Sequence, residues 1–129
     1  MPSSLRPFFE AAGVAVVGAS SNPRKLSYGI LKNLINSVYS GGIYPVNPGS
    51  DEILGKTCYP DISAVPDPVD LAVLVLPAAA TPDTLEACGK RGIKAVVIIS
   101  GGFKETGAGG LDLESRCLEI AARYKMRLI

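Results

Sequence analysis

A few short stretches hold the residues that could do chemistry. The first is Gly18-Ala19-Ser20-Ser21-Asn22-Pro23-Arg24-Lys25, a small-residue turn followed by two cations. A glycine there permits a tight turn, and the small residues let the backbone approach a ligand. Two hydroxyls, two positive charges and the free N–H groups of a following helix suit a phosphate. The same composition also suits an ordinary strand-to-helix loop. The second stretch is Val46-Asn47-Pro48, and the third is Leu76-Pro77-Ala78-Ala79-Ala80, small and uncharged, as befits a wall against a thin ligand. The fourth, Ser100-Gly101-Gly102-Phe103-Lys104-Glu105-Thr106-Gly107, pairs two glycines where a backbone could meet a ligand. Glu105 is the sole carboxylate in these turns, and no histidine or second acid accompanies it. The pattern is one of binding, with no catalytic residue and no metal site.

The absence of histidine removes the commonest general acid–base and the commonest metal ligand together. Cys58, Cys88 and Cys117 are odd in number and far apart, which predicts buried thiols in a reducing compartment. A dinucleotide fingerprint G-x-G-x-x-G is missing, because after Gly18 the next glycine is Gly29. The second strand would end in Asp or Glu if it held an NAD ribose, and it ends in Val46-Asn47-Pro48. Another adenine nucleotide is therefore preferred to NAD.

The elements that position these turns follow from hydrophobic periodicity. Val14–Val17, Leu71–Leu76 and Ala95–Ile99 are short, apolar and rich in β-branched residues. Such runs read as strands buried on both faces of a parallel sheet. Ile43-Tyr44-Pro45-Val46 predicts a strand at an edge, since Pro45 cannot donate to a ladder, and Met126–Ile129 begins another. Helical spacing appears in Ile30, Leu31, Leu34, Ile35 and Val38. A second helix is capped by Thr81, with Pro82 and Asp83 in its first turn and Lys90, Arg91 and Gly92 at its end. A third buries Leu113, Cys117, Ile120, Ala121 and Tyr124, with acidic residues in its first turn and basic ones in its last. Alternation of strand and helix predicts an α/β, Rossmann-like open sheet, mainly parallel, with helices on both faces. Asn47–Pro68, with four prolines, is the least regular stretch.

At 129 residues the chain suffices for one domain, and a net charge of +1 gives no reason to expect nucleic acid or an anionic membrane as partner. The opening Met1-Pro2-Ser3-Ser4-Leu5-Arg6-Pro7 lacks the apolar core of a signal peptide, and no run reaches membrane-spanning length. A cytoplasmic protein is expected.

The order of motifs resembles the N-terminal coenzyme A (CoA)-binding domain of the NDP-forming acyl-CoA synthetases, the group of ADP-forming acetate–CoA ligase. The succinyl-CoA synthetase α subunit is a more distant relative. The resemblance rests on Val14–Ser20, Asn22-Pro23 with Lys25, Tyr28-Gly29, Tyr44–Pro48, Pro66–Ala72 and Ser100–Gly107, in that order along nearly the whole chain. It implies that Gly18, Ala19, Ser20, Ser21 and Lys25 meet the CoA phosphates. It also implies adenosine near Asn47 and Pro48, and pantetheine along Pro77, Ser100, Gly101, Gly102 and Phe103. The succinyl branch carries a Lys shortly after the second strand, where this chain has Gly49-Ser50-Asp51. Members of the family continue into a domain with a phosphorylated histidine and an ATP-grasp module. The expectation is thus a single CoA-binding domain, the N-terminal part of a larger ligase, inactive alone and partnered by those downstream domains or a subunit. Two alternatives stand beside it: a regulatory or free-standing CoA module, including the sensor part of a lysine acetyltransferase, and an NAD(P)-binding redox module.

Overall fold

A computed structural model describes residues 10–99 and 108–129. The expected strands form. β1 (Gly13–Val17) is buried at every position and lies inside the sheet. After α1 (Leu26–Ile35), β2 (Gly42–Val46) pairs with β1 on one side. A small antiparallel hairpin of β3 (Glu52–Ile53) and β4 (Lys56–Thr57) and a 3-10 turn (Ile62–Ala64) occupy the irregular stretch. The chain then crosses to β5 (Leu71–Leu74) on the other side of β1. α2 (Thr81–Arg91), β6 (Ala95–Ile98), α3 (Ala108–Tyr124) and β7 (Arg127–Leu128) complete it. The order across the sheet is β2-β1-β5-β6-β7, parallel throughout. The direction of winding reverses between β1 and β5, the place where such sheets open a crevice above their carboxyl ends.

Period-two alternation sorts the strand side chains into two cores. Val14, Val16, Ile43, Leu71 and Ala95 pack with Leu31 of α1. Ala15, Val17, Ala72, Leu74 and Val96 pack with Leu85 and Cys88 of α2 and Cys117, Ile120 and Ala121 of α3. Helices therefore cover both faces. Pro45 sits as an edge proline should. The Gly42 N–H reaches inward to the Ala12 carbonyl, so by alternation position 45 faces outward, where no ladder donor is needed. Tyr59 borders that outer edge, donating its N–H to the Pro45 carbonyl and accepting from the Asn47 N–H, at 2.9 Å each. At the opposite end of β1 the Asp70 carboxylate accepts from the N–H groups of Ala12 and Gly13, 3.0–3.1 Å away.

Local expectations needed correction in three places. Val38 lies beyond α1 and is fully exposed, because the Asn36 N–H and the Ser37 hydroxyl close the helix onto Lys32 and Leu34 carbonyls. Thr81 does not cap α2. A 3-10 turn (Ala78–Ala80) runs directly into the helix, and the Thr81 hydroxyl donates backward to the Pro77 carbonyl at 3.3 Å. α3 starts at Ala108, so its first turn precedes the acidic residues instead of containing them. The end of α2 is as expected, with Gly92 in the left-handed region at φ 85°.

Candidate ligand-binding site

Gly18 stands at the switch point, with φ +87°, and a Cβ built there would lie 2.1 Å from the Val75 carbonyl oxygen. This glycine is thus required first by the β1 turn's close crossing over the end of β5, and only secondarily by any ligand. The N–H groups of Gly18 and Ala19 both go to the Val46 carbonyl, at 3.0 and 3.2 Å. Ala19 is buried, and its carbonyl accepts from the Asn47 side chain at 2.7 Å. Ala19 therefore has no polar group to spare for a ligand.

Donors become available one residue later. The Ser20 and Ser21 N–H groups have no partner among the described residues. The Ser20 hydroxyl accepts from the Asn22 N–H, and the Asn22 side-chain carbonyl accepts from the Arg24 N–H, 3.0 Å each. These nested turns deliver the chain to α1 at Lys25, which makes no side-chain cap, and no acid lies in the first turn. An uncapped helix start, with Arg24 and Lys25 beside it, is electrostatically ready for an anion. α2 differs, carrying Asp83 in its first turn.

Beside this turn a groove of about 480 Å³ opens over the carboxyl ends of β1, β2 and β5. Its apolar lining includes Val17, Pro48, Ile62 and Leu76, and its polar lining is Asn47, Asp61, Asp83 and Thr84. Of the sequence-predicted residues, the groove brings together Gly18, Asn47 and Pro48. Ser20, Ser21 and Lys25 lie on the adjoining turn, and Pro77 follows the groove residue Leu76. Ser100, Gly101, Gly102 and Phe103 lie outside the described residues.

Asp61 and the first turn of α2 escaped the sequence reading. The signal for Asp61 was present: an Asp two residues before a Ser, which caps a turn. Its Oδ1 accepts from the N–H groups of Ser63 and Ala64, at 2.9 and 3.2 Å, and from the Ser63 hydroxyl. The hydroxyl bond, ahead of the backbone bonds, holds the Asp61 carboxyl below its ordinary range. Asp61 therefore brings a negative charge to the groove lining at neutral pH, opposite in sign to the Arg24–Lys25 turn.

The cysteines offer no nucleophile. Cys58, Cys88 and Cys117 are all buried and free of disulfides. Burial pushes the Cys88 thiol up to about 12 and raises the other two as well. Among the described residues no three His, Cys, Asp or Glu converge as metal ligands, and no helix is long and apolar enough to cross a membrane.

The family described as "CoA binding domain" matches residues 12–129. The chain is 46% identical over 130 residues to the α subunit of acetate–CoA ligase [ADP-forming] I of Pyrococcus furiosus, covering 98% of this chain and 28% of that one. It is 44% identical to acetate–CoA ligase [ADP-forming] II of Archaeoglobus fulgidus, covering 96% of this chain and 18% of that one. Among solved structures it is similar to the dinucleotide-forming acetyl-coenzyme A synthetase 1 of Ca. Korarchaeum cryptofilum in its apo form. There the TM-score is 0.90 at 42% identity, over 97% of this chain and 27% of the other. The chain thus spans less than a third of the length of these relatives. A crevice at the switch point, donors at its β1 turn and this match agree: the chain belongs to the CoA-binding domain family, with coenzyme A as its ligand.

Proposed function

We propose that these residues form the CoA site of an ADP-forming acyl-CoA ligase, whose nucleotide and phosphate-carrying parts lie in other domains or a partner subunit. The observation that carries the reading is a turn with free N–H donors and two cations, at an uncapped helix start, beside a largely apolar groove at the switch point. The Ser20–Lys25 turn and the uncapped start of α1 present N–H groups and cations, while Asp61 and Asp83 are among the residues lining the groove beside it. A phosphate-bearing ligand is oriented by such a field, with its phosphates drawn to the start of α1 and repelled from the groove's carboxylates.

CoA fits that polarity. The adenine would enter the apolar groove between Pro48, Ile62 and Leu76, and the phosphates would meet Ser20, Ser21 and Lys25. The pantetheine arm would leave along Pro77. Because the end of β2 presents Asn47 and no carboxylate, it lacks the acceptor that an NAD ribose pair requires. CoA supplies the thiol that takes the acyl group, and this chain's residues hold it and orient it.

The division of labour is tested with the chain itself. Incubated with acetate, ATP, magnesium and CoA, it should form no thioester above the buffer blank. The sequence offers no histidine and no phosphate-binding G-x-x-x-x-G-K-[ST] loop, and its thiols are buried. Thioester formation that tracks with the protein would contradict the proposal.

A further inference from the structure

We propose that Asn47 is a positioning residue whose main effect on the ligand passes through the Ala19–Ser20 peptide. The inference rests on the CoA reading above and revises the expectation that Asn47 contacts the adenosine.

Each polar atom of Asn47 has a protein partner, and only the second N–H of its side-chain amide is left over. Its N–H donates to the Tyr59 carbonyl at 2.9 Å, and its carbonyl accepts from the Ser50 N–H at 3.4 Å and weakly from the Cys58 thiol at 3.6 Å. In the side chain, Nδ2 donates to the Ala19 carbonyl and Oδ1 accepts from the Gly49 N–H, both at 2.7 Å. The partners fix which side-chain atom is which: a carbonyl must meet the NH₂ and an N–H must meet the oxygen. Asn47 is thus a strut between the β1 turn and the turn after β2, 28 residues apart in sequence.

That strut has a consequence for the donor beside it. The Ala19 carbonyl and the Ser20 N–H belong to one peptide plane, and the sole cis bond among the described residues is Asp67–Pro68. In a trans peptide the two groups point in opposite directions. Holding the Ala19 carbonyl toward Asn47 therefore turns the Ser20 N–H to the other side. There it has no protein partner among the described residues. Since the Gly18 and Ala19 N–H groups are spent on Val46, Ser20 carries the first donor that this turn can offer to an anion. Its direction is set by Asn47. A donor aimed in advance costs no reorganisation when the phosphate arrives.

Asn47→Asp is the discriminating variant, because it keeps an acceptor for Gly49 and replaces only the donor to Ala19. The new carboxylate would oppose the Ala19 carbonyl and release the peptide to rotate. With the protein labelled with ¹⁵N, CoA should shift the Ser20 amide strongly in the wild type, and inorganic pyrophosphate should do the same. The Asn47 side-chain NH₂ signals should scarcely move. In Asn47→Asp the Ser20 response should vanish and CoA affinity should fall about tenfold, while the amides of Thr84 and Ala87 still respond at high CoA. A variant that binds CoA as the wild type does, with the Ser20 shift intact, overturns the proposal. Should the variant fail to fold, the wild type alone decides: a CoA-induced shift larger at the Asn47 side chain than at the Ser20 amide makes Asn47 a contact and overturns it equally. Failure of the wild type to bind CoA at all is a different result, and it refutes the CoA reading itself.

Discussion

Replacing Gly18 by Val should cost the domain roughly 3–5 kcal/mol and abolish CoA binding. Two effects add. A β-branched residue is strongly disfavoured at φ +87°, and its Cβ would lie 2.1 Å from the Val75 carbonyl oxygen. Backbone cannot yield there cheaply, because Val75 is held by its own N–H to the Val17 carbonyl at 2.9 Å. Relief requires pulling the β1 turn off β5, which opens the switch point and misplaces the Ser20 and Ser21 donors. The outcome is read by thermal unfolding followed by CoA titration below the transition. A variant with an unchanged midpoint and unchanged CoA affinity would show that the turn is not as crowded as described.

Leu85→Ala should destabilise the domain by about 2–5 kcal/mol while sparing the site. Leu85 is fully buried in the core shared by α2, α3 and the sheet, beside Leu74, Val96 and Ile93. Truncation removes its transfer energy and leaves a cavity that a parallel sheet and two helices cannot close. For a domain of this size the midpoint should fall by roughly 10 °C. Thr84 and Ala87, on the same helix, line the groove and are untouched. CoA should therefore bind the folded variant with near-normal affinity. A loss of affinity equal to that of Gly18→Val would mean that α2 is less rigid than its packing implies.

Most of the sheet was legible because a parallel strand covered on both faces has to be apolar throughout. Val14–Val17 and Ala95–Ile98 show this without any periodicity to interpret. The switch point was legible too, since Gly18 ends the first such run. What the linear pattern could not reveal was which N–H groups remain free. The resemblance sets the CoA phosphates against Gly18–Ser21 and Lys25, and nothing in the linear pattern signals that the Val46 carbonyl, nearly thirty residues away, takes the N–H groups of Gly18 and Ala19. The bond from Asn47 to Ala19 is equally hidden in the sequence, because it depends on β2 lying beside β1. Asp61 was missed for a related reason: it lies in the proline-rich stretch that has no period, and it reaches the groove only through tertiary packing. Thr81 shows the limit of a local rule, since a 3-10 turn in front of a helix displaces the cap its sequence signals.

The crevice above Gly18 should take CoA in preference to a dinucleotide. Calorimetric titration of the purified chain with CoA and, separately, with NAD tests it most directly. CoA should bind with a measurable affinity, and NAD at least about tenfold more weakly, a difference of about 1.4 kcal/mol. NAD binding as tight as CoA, or tighter, would make the crevice a dinucleotide site instead.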